Sequence, residues 1–522
     1  MAGKIALPTP QQQNWQDFHM GMLISLAPNT WQEKENDDLS TPLSAINPAL
    51  LDTEQWADTA AKLGAKYIIL VAKHTGGFCL WQTGTTDYSI KSTPWREGKG
   101  DVVADLAVSC KKHGLGLGIY LSAEDRKLGA GLYGMCKTPE EQKFYNDIFV
   151  GQVAELLNKY GPLVELGFGG NVIVPVRLVI EGYAPQTLVN QGAFGTLRWA
   201  GTQDGTVPYP AWNAVDGRDA ATGFATAIHG DPDGDKWLPN AVTIPLRAPS
   251  WFWSSTNGSQ LLSLDELLRI FYGSVGRGAQ LVIGMSPDRT GLIPAGDVAR
   301  VQEFGEEVRR RFGKAVAETR GSGYRIELKL SKPSSLDHAM LMEDLSQGER
   351  VREYELEGLQ RGKWVALTRG TAIGQMRLQP FPPTVLEAVR IRVVQSSNLP
   401  ILRRFAVFAT NQLPPKNWEA QPKVWADNQV GSWGQGKLEL KISEAIKTPG
   451  IYLLHLVPEG GAPFVVSNLE IRVEGVPQPQ ILREVMGRKD LFELALPANG
   501  QTVTIQGMVR GANAGTALLR KK

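Results

Sequence analysis

Seven short apolar runs recur through the N-terminal part of the chain, each closing in small or polar residues and each followed by a helical stretch. They are residues 21–27, 66–73, 116–122, 163–170, 187–192, 241–247 and 280–286. Runs this short and this continuously apolar read as strands buried on both faces, which is the pattern of a parallel sheet. Seven or eight such strands alternating with amphipathic helices fit an α/β fold of the (β/α)8-like TIM-barrel kind. In that architecture ligand chemistry collects where the strands end.

Beyond about residue 318 the period changes. Residues 324–330, 337–342, 363–367, 388–394 and 402–408 alternate or run apolar in short lengths between Gly, Pro and Ser, as antiparallel strands do. Pro414-Pro415 opens a linker, and residues 437–442, 450–457, 470–473 and 502–509 suggest more strands. The domain reading is therefore a β/α barrel over 1–317, a β-sandwich over 318–412 and a second β-rich domain over 413–522.

With 522 residues, 42% of them hydrophobic, the chain can bury a large barrel core and still supply further domains. Its 55 basic and 53 acidic residues nearly cancel, which argues against nucleic acid and against an anionic membrane as partners. No segment reaches the roughly 20 apolar residues of a membrane span, and residues 1–13 lack the charged-then-apolar pattern of a signal peptide. A cytoplasmic location is expected. Cys79, Cys110 and Cys136 are too few and too unevenly spaced for a disulfide frame or a zinc site. His19, His113, His229, His338 and His455 show no metal-ligand spacing, so neither a metal nor a cofactor is expected.

The strand-end motifs carry a resemblance. Gly21-Met22-Leu23-Ile24-Ser25 with Asn29-Thr30-Trp31, Lys73-His74-Thr75-Gly76-Gly77-Phe78-Cys79-Leu80-Trp81, Gly118-Ile119-Tyr120-Leu121-Ser122-Ala123-Glu124-Asp125-Arg126, Tyr160-Gly161-Pro162, Pro287-Asp288-Arg289-Thr290-Gly291 and Met342-Glu343-Asp344-Leu345-Ser346 follow one another in a fixed order. In that order they resemble the α-L-fucosidases of glycoside hydrolase family 29, over residues 8 to about 410. The branch acting on 1,3- and 1,4-linked fucose is the nearest in pattern. The resemblance implies a barrel with an accessory β-sandwich and hydrolysis with retention, which uses two carboxyls about 5 Å apart.

At the positions implied by that resemblance the carboxyls are absent. The nucleophile's Trp-Phe-Asp-Gly pattern reads Gly167-Phe168-Gly169-Gly170 here. The acid/base Glu that follows an Arg-Trp pair is matched by Gln203 after Arg198-Trp199. A carboxamide donates hydrogen bonds but transfers no proton at neutral pH. Asp204, one residue on, becomes the acid if the register slips, whereas Glu165 lies roughly 13 Å back along the strand from residue 169. Two sugar-contacting His positions hold Ser25 and Thr75, and a Trp position holds Glu124; His74 is retained. Each half of a lost acid/base and nucleophile pair is worth roughly 3 to 5 kcal/mol or more of barrier.

The candidate catalytic residues are thus His74, Glu124, Gln203 and Asp204, and the candidate binding residues Ser25, Thr75, Trp81, Gly169, Arg198, Trp199, Trp212 and Trp251. Asp125 is expected to pair with its neighbour Arg126, and Lys73 to pack its stem at a strand end. Trp31, Trp237 and Trp253 join the other tryptophans on predicted loops of the mouth. A pocket stripped of charge and rimmed by aromatics suits a small, less polar ligand. The expectation is a non-hydrolytic enzyme promoting cyclisation, elimination or isomerisation of a largely apolar biosynthetic intermediate. The alternatives are an inactive module that binds fucosylated glycans and a weak α-L-fucosidase with an unrecognised carboxylate. Oligomeric state is not legible.

Overall fold

The computed structural model describes residues 5–421 apart from 171, 193, 201, 203, 216 and 218–229. It also describes 428–521 apart from 435–436, 442–449, 459–464, 475–479, 482, 486–487, 497–501 and 511–513. The apolar runs become strands β1 (Met20–Ile24), β2 (Tyr67–Lys73), β3 (Gly116–Leu121), β4 (Glu165–Gly167), β5 (Leu188–Asn190), β7 (Asn240–Pro245) and β8 (Gln280–Met285), joined by a short β6 (Arg198–Trp199). These eight pair in parallel in the order β5-β4-β3-β2-β1-β8-β7-β6. A parallel bridge between Asn190 and Leu197 brings β5 to the start of β6 and nearly closes the ring.

Alternation along each strand sorts side chains to the two faces. Leu23, Tyr67, Ile69, Val71, Leu188, Leu197, Ala241 and Val282 fill the lumen, with Trp15 packed among them. Gly21 is there because a Cβ at that position would lie 2.5 Å from the Tyr67 ring. Glu165 is buried in the same interior, accepting from Trp15 Nε1 at 3.0 Å and from Asn190 Nδ2 at 2.6 Å. It is a structural carboxyl satisfied by two donors. The other face, including Met22, Ile24, Ile68, Leu70, Ile119 and Leu166, packs outward into a second apolar layer.

The fully described α-helices are α1 (Pro10–Gln16), α2 (Pro28–Gln32), α3 (Thr53–Leu63), α4 (Val102–His113), α5 (Pro139–Tyr160), α6 (Arg177–Tyr183), α7 (Leu264–Gly273) and α8 (Ala295–Phe312). Their ends are written in the sequence. Asp52 and Asp101 cap α3 and α4, which close on left-handed Gly64 and Gly114. Thr138 with Glu141, and Ser263 with Glu266, form reciprocal capping boxes on α5 and α7. None of the described helices is long and apolar enough to cross a membrane.

After α8 come β9 (Ala317–Ser322), β10 (Arg325–Glu343), β11 (Val351–Gln360), β12 (Lys363–Gly370), β13 (Arg377–Ser396) and β14 (Ile401–Phe408). They form an antiparallel sheet in the order β9-β14-β10-β13-β11-β12. Residues 324–330 and 337–342, read from sequence as two strands, lie in the single strand β10, whose register shifts between Lys329 and Ser334. Pro333, which has no N–H to give, sits in that irregularity. The bent sheet closes on its own core around Leu336, Leu341, Tyr354, Leu386 and Phe405.

The chain divides into two compact units, Met1–Pro422 and Lys423–Lys522. The barrel and the bent sheet share the first, where Leu378 and Phe408 enter the outer barrel core. Among its described residues the second forms one nine-stranded sheet around Leu438, Leu440, Leu454, Ile471, Leu494 and Ile505.

Candidate functional site

Partial exposure marks a cup at the strand ends. Tyr120, Asn190, Trp199, Thr243 and Trp251 are each partly exposed, although residues beside them on the strands are buried. Tyr120 sits level with Val71 and Gly167 in the register. Together with Trp251 it lies on the lumen cluster, so the cup has an aromatic floor.

His74, at the end of β2, stands beside that floor. Its ring meets Phe252 edge-on at 4.9 Å and lies 6.5 Å from the Tyr120 ring, while Thr75 Oγ1 is 3.4 Å from its Nδ1. Burial, helped by Arg126, pushes His74 down to about 4, so the imidazole is neutral at pH 7. A neutral imidazole takes a proton or shares a hydrogen bond, but it donates no acid proton. Burial and then Glu124 push the Tyr120 phenol up to about 12, which keeps it a donor.

Gly169 follows β4 with φ +76, a left-handed conformation that favours glycine. A Cβ there would fall well inside contact distance of Tyr120 Oη. The Tyr120 side chain therefore fills the space into which any side chain at 169 would project.

The remaining candidates separate. Glu124 is tied to Arg126 Nε at 3.0 Å, and Arg126 also donates to the Asp37 carbonyl. The expected Asp125–Arg126 pair does not form: Asp125 takes Lys73 at 3.1 Å, with both side chains wholly buried. Lys73 contributes its charge as well as its stem, because its ammonium also lies 4.8 Å from the Phe149 ring centre. Asp204 accepts from the Thr206 backbone and hydroxyl and faces Arg269 on α7 at 3.7 Å, so it turns toward the outer helix. Gln203 lies outside the described residues.

Trp81 is fully buried and donates to Glu155 on α5 at 2.8 Å, leaving no face for a ligand. Trp212 is buried under the Arg352 guanidinium, 4.8 Å from its ring centre. Arg198 holds the carbonyls of Trp212 and Leu238, an anchor for two loops. Ser25 is buried at the end of β1, its N–H on the Met285 carbonyl. The cup thus brings together His74, Thr75, Gly169, Trp199 and Trp251, with Tyr120 and Phe252 added by the structure. Tyr120 was legible in principle, being an inward position on β3.

One carboxyl had no sequence signal. Glu35, in a charged loop after α2, accepts from the backbone N–H groups of Trp251 at 3.0 Å and Phe252 at 3.5 Å. Desolvation raises its pKa against those donors. Among the described residues no cluster of His, Cys, Asp and Glu could hold a metal ion.

A nearly closed parallel barrel with an aromatic cup and an antiparallel sheet in the same unit defines a TIM-barrel type of protein with an accessory β domain. The sequence model of the alpha-L-fucosidase family matches residues 10–173. The chain is 29% identical to alpha-L-fucosidase 1 of Arabidopsis thaliana over 447 residues, 76% of this chain and 84% of that protein. A Bacteroides thetaiotaomicron crystal structure assigned as an alpha-L-fucosidase is 31% identical with TM-score 0.74, covering 78% of this chain and 100% of that one. A glycoside hydrolase 29 family member from an unknown rumen bacterium is 25% identical with TM-score 0.69, covering 100% of this chain and 97% of that one. The chain belongs to the alpha-L-fucosidase family, glycoside hydrolase family 29.

Proposed function

We propose that this family member has given up double-displacement hydrolysis, and that its cup binds a small, largely apolar molecule and promotes a cyclisation, elimination or isomerisation. The observation that carries the reading is the contact at the end of β4: Gly169 brings no carboxylate, and Tyr120 occupies the space one would need. In this reading Gly169 and Gln203 stand where the family's two carboxyls stood. Its ancestry lies in the branch for 1,3- and 1,4-linked fucose, on the strength of Arg198-Trp199 at β6. The free thiols, buried at Cys79 and Cys110, suit a cytoplasmic setting.

The chemistry then falls to two groups. His74 Nε2 makes no hydrogen bond to a described residue and is placed to take a proton from a bound ligand. Tyr120 Oη, protonated at any working pH, donates to the oxygen on which negative charge develops. His74 returns its proton to the product, so the step is neutral overall. A positioned base tuned near the working pH is worth roughly 10²- to 10⁴-fold; His74, lowered to about 4, is a weaker base and supplies the low end of that range, and holding the ligand in a reactive shape adds to it. The test is incubation with 4-nitrophenyl α-L-fucoside and calorimetry with fucose. No nitrophenol above the uncatalysed background and no saturable heat are expected.

Glu35 favours a second reading, a weak α-L-fucosidase that uses this raised carboxyl as its acid. Nitrophenol release that Glu35→Gln abolishes would establish it and end the first reading.

A further inference from the structure

The outside of the ring has a gap. The described residues of the connection 191–197 from β5 to β6 carry no helix, so the outer face of β5 is covered by α6 and that loop alone. Leu188 belongs to the lumen cluster, and alternation therefore turns Thr187 and Val189 outward. Over that face lies a cavity of about 350 Å³, bounded by α6, the β5–β6 connection and Lys236 of the short strand Lys236–Trp237. Its apolar wall is Ile180, Val189 and Phe194; its charged rim is Arg177, Lys236 and the single carboxylate Glu181.

The rim is short of negative charge. The Lys236 side chain is half-buried, and its ammonium makes no hydrogen bond or ion pair with any described residue. Arg177 gives only its Nε, to Glu181 at 2.7 Å, which leaves both terminal nitrogens without a described partner. Asp235 spends a carboxylate oxygen on the Gly217 N–H at 2.6 Å. Burial and then Arg177 hold the Lys236 ammonium below the usual lysine range, with Asp235 opposing them. A cation held in this way gains from an entering anion.

We propose that this cleft is a second ligand site, separate from the barrel mouth, for a small molecule that carries a phosphate or carboxylate on an apolar body. The anionic oxygens sit between Lys236 and the free end of Arg177, and the body lies against Phe194 and Ile180. Thr187 and Thr196 are excluded as donors because their hydroxyls are spent on the Leu163 and Val189 carbonyls.

Phenyl phosphate and benzoate are the probes, each titrated calorimetrically into the full chain. Saturable binding is expected from at least one, weakened about tenfold by Lys236→Gln and by Arg177→Gln. Arg177 is 65% exposed, so its replacement leaves the fold intact and keeps the test decisive if Lys236→Gln is unstable. The bound probe is also expected to slow trinitrophenylation of Lys236, read by peptide mapping. No saturable heat from either probe, binding unchanged in Arg177→Gln, or labelling of Lys236 at an undiminished rate each overturns the proposal.

Discussion

At the residue scale the decisive contact is between Gly169 and Tyr120. Replacing Gly169 with Ala places a Cβ against the phenol in a left-handed backbone, and a cost of about 1 to 3 kcal/mol is expected by denaturant unfolding. Tyr120→Phe removes the nearest atom and should recover part of that loss in the double variant, a coupling that a double-mutant cycle reads directly. The histidines make a second prediction. His19 and His74 are both lowered to about 4, so the folded chain resists protons that the unfolded chain accepts near 6.5. Their stability is complete above pH 6.5 and falls as pH drops toward 4, by up to roughly 3 kcal/mol each. Glu343, raised to about 7 by burial, has the opposite slope, so stability it lends at low pH is lost from about 4.5 to 7. His74→Gln should flatten the acid limb of a melting-temperature profile, and an unchanged limb would count against a neutral imidazole. The strand-end positions of His74 and Gly169 were readable from sequence because motifs flank them. Trp81 and Trp212 were misleading, since a tryptophan after a strand reads alike whether it lines a cup or plugs a core. Glu35 was hidden because a charged run looks like a solvated loop until its carboxyl is seen to hold two backbone N–H groups.

At the element scale, strands with an apolar run announced themselves and the one without did not. β6 is two residues long and is held by Arg198, not by hydrophobic periodicity. Arg198→Leu should cost about 3 kcal/mol or more, because it leaves the Trp212 and Leu238 carbonyls buried and unpaired. Circular dichroism melts would register the loss, and a change within half a kcal/mol would show that the loops do not depend on it. Helix ends are fixed by capping residues that act locally: Thr138→Ala should cost α5 about 1 kcal/mol. What sequence could not give is the joining of two runs into β10. A proline between apolar segments normally separates strands, and only the pairing of both halves with β13 shows the chain passing through.

At the scale of the whole molecule, the change of period near 318 was visible, yet the barrel and the bent sheet form one unit. Their shared apolar layer joins residues remote in sequence, and periodicity reports only near neighbours. The division between the two compact units falls at Pro422/Lys423. A fragment ending at Pro422 is expected to express and to unfold cooperatively, because each of its cores closes without residues beyond that point. A fragment that aggregates or melts without a transition would refute it.

The Lys73–Asp125 bond fastens β2 to the loop after β3 just behind His74, in a place solvent does not reach. Mobile ions cannot enter to weaken it, so added salt leaves the shape of the cup alone. Any ligand whose affinity there fades with ionic strength is thereby reporting its own charge.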